Sequence, residues 1–145
     1  MVDLASVLAN LEPSDFDPMR VEARGSETLA QVGNAIETHE NPAATFAAVF
    51  SFMERMQSCD LGAPGPLVHA LEAVGGYESE LTTSVMRKPT SLTLWMVNRI
   101  LNATNDPQLR SRCLKLLARS VNHQLASPEA RADAVRFLKH QGAAV

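Results

Sequence analysis

The sequence predicts an all-α protein, with about eight helices in a single compact domain over residues 1–145, and three observations lead to this prediction. The chain of 145 residues is long enough to bury one core and too short for two ordinary domains. Apolar residues make up 46% of it and aromatic residues 5%, which favours helices packed through small aliphatic side chains. A capping residue followed by proline, typical of helix starts, recurs three times: Asn41-Pro42, Asp106-Pro107 and Ser127-Pro128.

The N-terminal residues predict a short amphipathic helix over about 3–12, with Asp3 as its N-cap. Its apolar positions recur at helical spacing: Leu4, Val7, Leu8 and Leu11. Two prolines follow within six residues, and proline cannot continue a helix. We therefore expect an irregular acidic loop over Ser14–Gly25.

Two further helices are expected over Ser26–His39 and from Pro42 to about Met53, the latter with Asn41 as its cap. Gly33 lies in the middle of the first of these helices. An exposed glycine there costs roughly 1 kcal/mol relative to alanine, so its presence indicates close packing. The stretch from Pro42 to Met53 contains no charged residue, which predicts a helix buried on more than one side.

The middle stretch, residues 64–102, predicts three more helices. The fourth helix is expected to open at Pro64 and to end at Gly75-Gly76, because glycine stops helices. The fifth is expected from Tyr77 to about Arg87. Thr90 can cap the sixth, which is apolar on most sides and therefore predicts a central helix.

The C-terminal third predicts a seventh and an eighth helix, capped by Asp106 and Ser127, with Gly142 as the final stop. Two arrangements of the eight helices are open. One is a stack of HEAT-like or armadillo-like helix pairs, and the other is a closed orthogonal bundle. In the stacked arrangement the pairs would span about 41–75, 77–103 and 106–140.

Charge is unevenly distributed along the sequence. Residues 1–60 contain ten acidic residues and three arginines, a net charge of −7, whereas residues 61–145 have a net charge of +4. The acidic part can attract a basic partner. The basic part includes Arg112, Lys115 and Arg119 at helical spacing, which could contact phosphates. A sequence pI near 5.8 and the lack of a cluster of aromatic residues make nucleic acid the less favoured partner and favour a solvated helix face.

The sequence contains no signal for a cofactor, a metal or a membrane segment. Cys59 and Cys113 lie far apart without metal-ligand spacing, which favours small buried hydrophobes. The N-terminus has an acid where a signal peptide would carry bases, and no apolar run reaches roughly 18 residues. We therefore expect a cytoplasmic protein without cofactor or metal. The histidines form no ligand pair and are expected at the surface or as caps: His39, His69, His123 and His140.

Polar residues stand among apolar ones in the fourth and sixth helices. A catalytic interpretation makes His69 a general base oriented by Glu72, with Arg99 holding an anion, as in a small hydrolase. A structural interpretation pairs Glu72 with Arg99 across the two helices and makes Asn102 a C-cap beside Asn98. No nucleophile or glycine cradle completes an active site, so the structural interpretation is favoured and no enzyme is expected.

Three segments of the middle stretch carry recognisable motifs: GPLVHALE at Gly65–Glu72, GGYESEL at Gly75–Leu81, and RKPTSLTLWMVNRILN at Arg87–Asn102. In these segments the chain resembles a family of small all-helical bacterial immunity proteins, which are encoded beside polymorphic or contact-dependent growth-inhibition toxins. The resemblance covers about 39 of the 145 residues. Its matching positions are His69, Glu72, Tyr77, Leu81, Pro89, Thr90, Trp95, Met96, Asn98, Arg99 and Asn102.

The resemblance implies a non-catalytic cytoplasmic inhibitor that binds the C-terminal domain of its cognate toxin and occludes the active site, with the motif residues as scaffold. If the toxin is a nuclease, its basic surface would attract an acidic one. We therefore expect toxin-binding residues in the acidic first third: Asp15, Asp17, Glu22, Glu27, Glu37 and Glu40. The alternative is a HEAT-like helical adaptor that binds a protein or nucleic acid through its basic C-terminal helices.

Overall fold

The computed structural model describes residues 3–62 and 64–143, and this part of the chain is all-helical, with eight α-helices, two short 3-10 helices and no strand. The prediction of an all-α fold with about eight helices is confirmed. The α-helices are α1 Leu4–Ala9, α2 Gly25–Glu37, α3 Phe46–Arg55, α4 Gly65–Val74, α5 Glu78–Arg87, α6 Ser91–Ala103, α7 Pro107–Ser120 and α8 Pro128–His140. The 3-10 helices are Pro13–Phe16 and Pro42–Thr45.

The chain divides into two compact units, one that ends at Glu80 and one that begins at Leu81, so that the boundary falls within α5. The first unit, here the acidic unit (residues 1–80), contains thirteen acidic residues and three arginines, a net charge of −10. The second, the basic unit (residues 81–145), contains three acidic and ten basic residues, a net charge of +7. This division separates the charges more completely than the two parts of the sequence did. The single domain over 1–145 stays a prediction.

In the acidic unit α2 packs against α4, and α1 packs against α3. The two helices approach closely at Gly33, where a Cβ atom would lie 2.9 Å from the backbone oxygen of Pro66. The prediction of close packing at this glycine is confirmed. Helix α3 is buried on more than one side, as predicted, and its buried aromatic residues are Phe46, Phe50 and Phe52.

Arg55, at the end of α3, connects this helix to α1. Its guanidinium donates hydrogen bonds to the backbone oxygens of Leu8 at 2.7 Å and Leu11 at 2.9 Å. These oxygens lie in the last turn of α1 and just after it, where carbonyl groups lack partners within the helix. Arg55 therefore satisfies carbonyl groups at the end of this six-residue helix, together with the Leu11 N–H, which also donates to the Leu8 oxygen at 3.2 Å.

Three expectations for the acidic unit are corrected. The loop expected to be irregular begins with the 3-10 helix Pro13–Phe16, because Asp15 and Glu12 form a reciprocal capping box. The third helix does not start directly at Pro42, since the 3-10 helix Pro42–Thr45 precedes α3. Asn41 makes no side-chain cap hydrogen bond.

The expected helix pairs are found only in part. Helices α7 and α8 pack together, as expected for the pair over 106–140, and both contact α6. Helices α3 and α4, expected to pair over 41–75, instead take α1 and α2 as their main partners. Tertiary packing thus overrides adjacency in sequence within the acidic unit.

Helix starts in the basic unit follow the sequence signals. Thr90 accepts a hydrogen bond from the Thr93 N–H, Asp106 from the Gln108 N–H, and Ser127 from the Ala130 N–H, at 3.2, 3.0 and 3.0 Å. All three predicted caps are therefore confirmed. The prediction that Asn102 is a C-cap is wrong: it lies inside α6, and Thr104 is the C-cap.

Candidate interaction surface

The acidic loop, residues 13–24, is ordered by its own polar groups. After the 3-10 helix, two successive turns are closed by Arg20 N–H donating to the Asp17 carbonyl and Ala23 N–H donating to the Arg20 carbonyl, each at 3.1 Å. The Asp17 carboxylate also accepts from the Met19 N–H at 2.9 Å. The Arg20 guanidinium donates to the Ser14 hydroxyl at 2.9 Å. Local hydrogen bonds of this kind favour one loop conformation.

The base of the acidic loop is attached to the helices by an aromatic contact. The rings of Phe16 and Phe52 are tilted by 59°, with centroids 6.2 Å apart, a separation typical of aromatic pairs. The first residue of α2, Gly25, also packs tightly against the loop. A Cβ atom on Gly25 would lie 2.5 Å from the Phe16 ring and 2.7 Å from the Asp15 carbonyl oxygen. Gly25 is therefore required for α2 to begin against this ring.

A groove of about 360 Å³ lies beside the base of the acidic loop. Its lining residues include Asp15, Asp17, Asp60 and Arg20. Asp15 and Asp60 accept backbone N–H groups, from Glu12 at 2.8 Å and Gly62 at 2.9 Å. The groove thus brings together two predicted site residues and one carboxylate, Asp60, that sequence reasoning did not select.

The other acidic candidates separate into two groups. Glu22 lies in the second turn of the acidic loop, and Glu27 pairs with Arg24 at 3.1 Å in the first turn of α2, both at exposed positions. Glu37 and Glu40 are also exposed but lie at the far end of α2. A helix of 13 residues is about 20 Å long. The six predicted residues therefore do not form one cluster.

Two large apolar side chains project from the turns of the acidic loop. Met19 is 87% exposed and Val21 is 101% exposed. Sequence reasoning missed both. The available signal was their position: neither belongs to a helical stripe, and both lie between Pro18 and Arg24 in a segment that cannot continue a helix. Met19 and Val21 are hereafter the apolar tip.

Most residues of the recognisable motifs are integrated into helices. Tyr77 and Asn98 are buried, whereas His69 is exposed on α4 and Glu72 is partly buried. The Arg99 guanidinium lies over the Trp95 ring, 4.9 Å from its centroid, a cation–π contact. The ion pair between Glu72 and Arg99 stays a prediction.

A polar network in the basic unit uses two of the motif residues. The side-chain amide of Gln141 donates to the oxygens of Asn98 at 2.7 Å and Asn102 at 2.8 Å. The Arg110 guanidinium donates to both the side-chain and backbone oxygens of Gln141. These bonds link α6, α7 and the end of α8. Both residues lie outside the motifs, and Gln141 follows Asn102 by 39 residues, so no local pattern indicated the network.

Two histidines close turns after helix ends and cap no helix. His39 accepts from the Asn41 N–H at 2.9 Å, and His123 accepts from the Leu125 N–H at 3.0 Å through the same ring nitrogen, Nδ1. Among residues 3–62 and 64–143, no three His, Cys, Asp or Glu residues are grouped so that they could hold a metal ion. No helix in the described part of the chain has the length and apolar character needed to cross a bilayer.

The basic unit presents a row of cations on α7. Arg112, Lys115 and Arg119 are all exposed, as predicted for a solvated face. Arg119 also lines a recess of about 250 Å³ together with His123 and Met86. His123 is held there by a 2.8 Å hydrogen bond between Nε2 and the Met86 carbonyl oxygen.

No protein-family model, curated protein or solved structure matches the chain. Membership in the immunity-protein family therefore remains a prediction that depends on the motifs between Gly65 and Asn102.

Proposed function

We propose that this chain is a bacterial immunity protein, which binds the C-terminal domain of its cognate toxin through the acidic unit and occludes the toxin's active site. It acts in the cytoplasm, requires no cofactor and catalyses no reaction of its own. Two observations support the proposal. One is the resemblance at Gly65–Glu72, Gly75–Leu81 and Arg87–Asn102. The other, which carries it, is the net charge of −10 on the acidic unit, whose acidic loop is held in order.

The charge of the acidic unit favours a basic partner. A nuclease or other phosphate-binding toxin carries cationic groups at its active site, since these groups hold the phosphates. An acidic protein surface competes for the same groups and raises the rate of encounter. Asp15, Asp17 and Asp60 share one groove, so the acidic loop is the part of this surface that we assign to the toxin.

The direct test is co-expression with the toxin domain encoded beside this chain's gene. We expect cells to survive only when both proteins are produced, and we expect the two to co-purify as a stable complex. Because occlusion needs no turnover, protection should require at least as many copies of this chain as of the toxin. Survival at a large excess of toxin, or the absence of a complex, would count against binding as the mechanism.

A second test isolates the charge of the acidic loop. Charge reversal at Asp15 or Asp17 would also break the hydrogen bonds that order the loop, so the informative variant is Asp15→Asn/Asp17→Asn/Glu22→Gln, which keeps an acceptor oxygen at each site. We expect the association rate at low salt to fall about tenfold and the salt dependence of affinity to weaken. The measurement is binding kinetics at several ionic strengths.

The control for this variant is Glu37→Gln/Glu40→Gln, which removes exposed charges about 20 Å away at the other end of α2. At that distance, beyond a Debye length of roughly 8 Å, these charges should contribute little to encounter at the loop. Equal effects of both variants would assign the interface to the whole acidic unit. An effect of the control alone would move it to the end of α2.

The second candidate function is a helical adaptor that binds nucleic acid through the basic unit. It is favoured by the net charge of +7 and by the exposed row Arg112, Lys115 and Arg119. Fluorescence anisotropy with a labelled single-stranded RNA and a labelled DNA duplex tests it. Salt-sensitive binding that is weakened by Arg112→Gln/Lys115→Gln/Arg119→Gln would support the adaptor, because each cation that contacts a phosphate adds to the salt dependence.

A further inference from the structure

We propose that the apolar tip, Met19 and Val21, is the energetic anchor of the acidic unit's interface, and that it inserts into an apolar recess with a basic rim on the partner protein. This inference rests on the proposed function and names the partner's surface chemistry. The acidic charges then guide the encounter, whereas the apolar tip determines how long the complex lasts.

The first reason is the exposure of the two side chains. At 87% and 101% exposed, Met19 and Val21 contribute nothing to the core. Single exposed apolar residues are common on protein surfaces, but here two large ones occupy adjacent turns of one short loop. Methionine adapts to irregular apolar surfaces and is frequent at binding sites. Burial of Met19 and Val21 in a complex would remove their apolar surface from water, which favours binding.

The second reason is that the acidic loop is already ordered. Its two turns are closed by backbone hydrogen bonds, Asp17 fixes the Met19 N–H, and Phe16 attaches the base to Phe52. A loop that is held in one conformation loses less entropy on binding, so more of the apolar contact appears as affinity. Met19 and Val21 therefore project from turns whose conformation is already fixed before a partner binds.

The third reason is the charge around the apolar tip, which indicates the kind of partner surface that can bind it. Asp17 precedes Met19 by two residues, and Glu22 directly follows Val21. Arg20 lies between the two apolar residues and keeps its positive charge, and its guanidinium is held back against the Ser14 hydroxyl at 2.9 Å, so the carboxylates on either side are the charges left to meet a partner. A recess bordered by lysine or arginine complements this arrangement of apolar centre and acidic rim. A neutral or acidic recess would leave the carboxylates without partners.

The experiment compares dissociation kinetics of three versions of this chain on the immobilised toxin domain encoded beside its gene: wild type, Met19→Ala/Val21→Ala and Met86→Ala/Leu125→Ala. Met86 and Leu125 are the matched control, because they are also large exposed apolar residues, at 47% and 59%, but lie in the basic unit. We expect Met19→Ala/Val21→Ala to dissociate about 100-fold faster, which is about tenfold for each apolar side chain removed from the interface. Its association rate and salt dependence should match wild type, since no charge changes.

The substituted residues are exposed, so all three versions should have the same circular dichroism spectrum and melting temperature. Met19→Leu/Val21→Ile, which keeps the apolar surface, should restore slow dissociation. Unchanged dissociation of Met19→Ala/Val21→Ala, or an equal effect of the control pair, overturns the inference while the proposed function stands. If the wild-type chain forms no complex with the toxin domain, both the proposed function and this inference fail.

Discussion

The two units differ in how they use their polar residues. In the basic unit, polar side chains cap helices α6, α7 and α8, and the Gln141 network links the three helices. In the acidic unit, α2, α3 and α4 begin without a side-chain cap hydrogen bond, and close packing at Gly33 holds two of them together. The basic unit therefore combines capped helix starts with a polar network between its helices, whereas of helices α1 to α4 in the acidic unit only α1 has a side-chain cap, from Asp3, and α2 and α4 are held by close packing.

The two units also differ in how many of their charged and polar side chains are available to a partner. Many carboxylates of the acidic unit are exposed, such as those of Glu22, Glu37 and Glu40, and charges held at the surface remain able to guide a partner. The basic unit also exposes charges, the row Arg112, Lys115 and Arg119 on α7, but it places Asn98 in its interior and binds Arg110 to Gln141. Substitutions can test each half of the comparison, beginning with the largest expected effect.

Gly33→Val should be the most damaging substitution. Its side chain would meet the Pro66 backbone oxygen, which is 2.9 Å from the Cβ position and cannot rotate away, so we expect a loss of about 3 kcal/mol in the free energy of unfolding. Urea unfolding followed by circular dichroism measures it. Ala35→Val, on the exposed side of the same helix, should lose only about 0.6 kcal/mol from helix propensity. Equal losses would mean that packing between α2 and α4 is not the reason why a larger side chain at Gly33 destabilises the protein.

Gln141→Ala should have an intermediate effect. It removes the donor to Asn98, whose side chain is buried, and to Asn102. We expect a loss of about 2 kcal/mol in the free energy of unfolding, because a buried acceptor is left without its partner. Gln124→Ala, at an exposed position outside the helices, is the control and should change stability by less than about 0.5 kcal/mol. A neutral Gln141→Ala would show that the network does not stabilise the basic unit.

Removal of the helix caps should change the free energy of unfolding least, but it should distinguish the two units most clearly. Asp106→Ala and Ser127→Ala each remove a cap hydrogen bond and should each cost about 1 kcal/mol. Asn41→Ala removes the same kind of side chain in the acidic unit, where no cap hydrogen bond exists, and should be nearly neutral. Thermal unfolding of the three variants is sufficient. A comparable loss for Asn41→Ala would contradict the observed difference between the units.

Sequence reasoning was most successful where structure depends on neighbouring residues. Asp3, Thr90, Asp106 and Ser127 were all predicted as caps, and each accepts the expected backbone N–H. It failed at Asn41, which makes no side-chain cap hydrogen bond, and at Asn102, whose oxygen is used by a residue of another segment. A cap signal extends over three or four residues, whereas the competing partner can lie anywhere in the chain.

The candidate interaction surface likewise depends on residues that are distant in sequence. Asp15 and Asp17 were selected from their charge and their position between two prolines, but their neighbour in the groove, Asp60, comes from a distant segment. The position of Met19 and Val21 after Pro18 indicated that they belong to no helical stripe, but the degree of their exposure depends on the turns that hold them outside the core. Composition indicates that a residue is apolar, and packing determines whether it is covered.

Helical class, the breaks at proline and glycine and the strong imbalance of charge are properties of the amino-acid sequence, because each depends on residue type or on neighbours within one or two turns. Other features required the folded chain: the partner of Gly33, the contact of Phe16 with Phe52 and Gly25, the Gln141 network and the exposed apolar tip. These features depend on which helix faces meet, and the same amphipathic stripes are compatible with several such pairings.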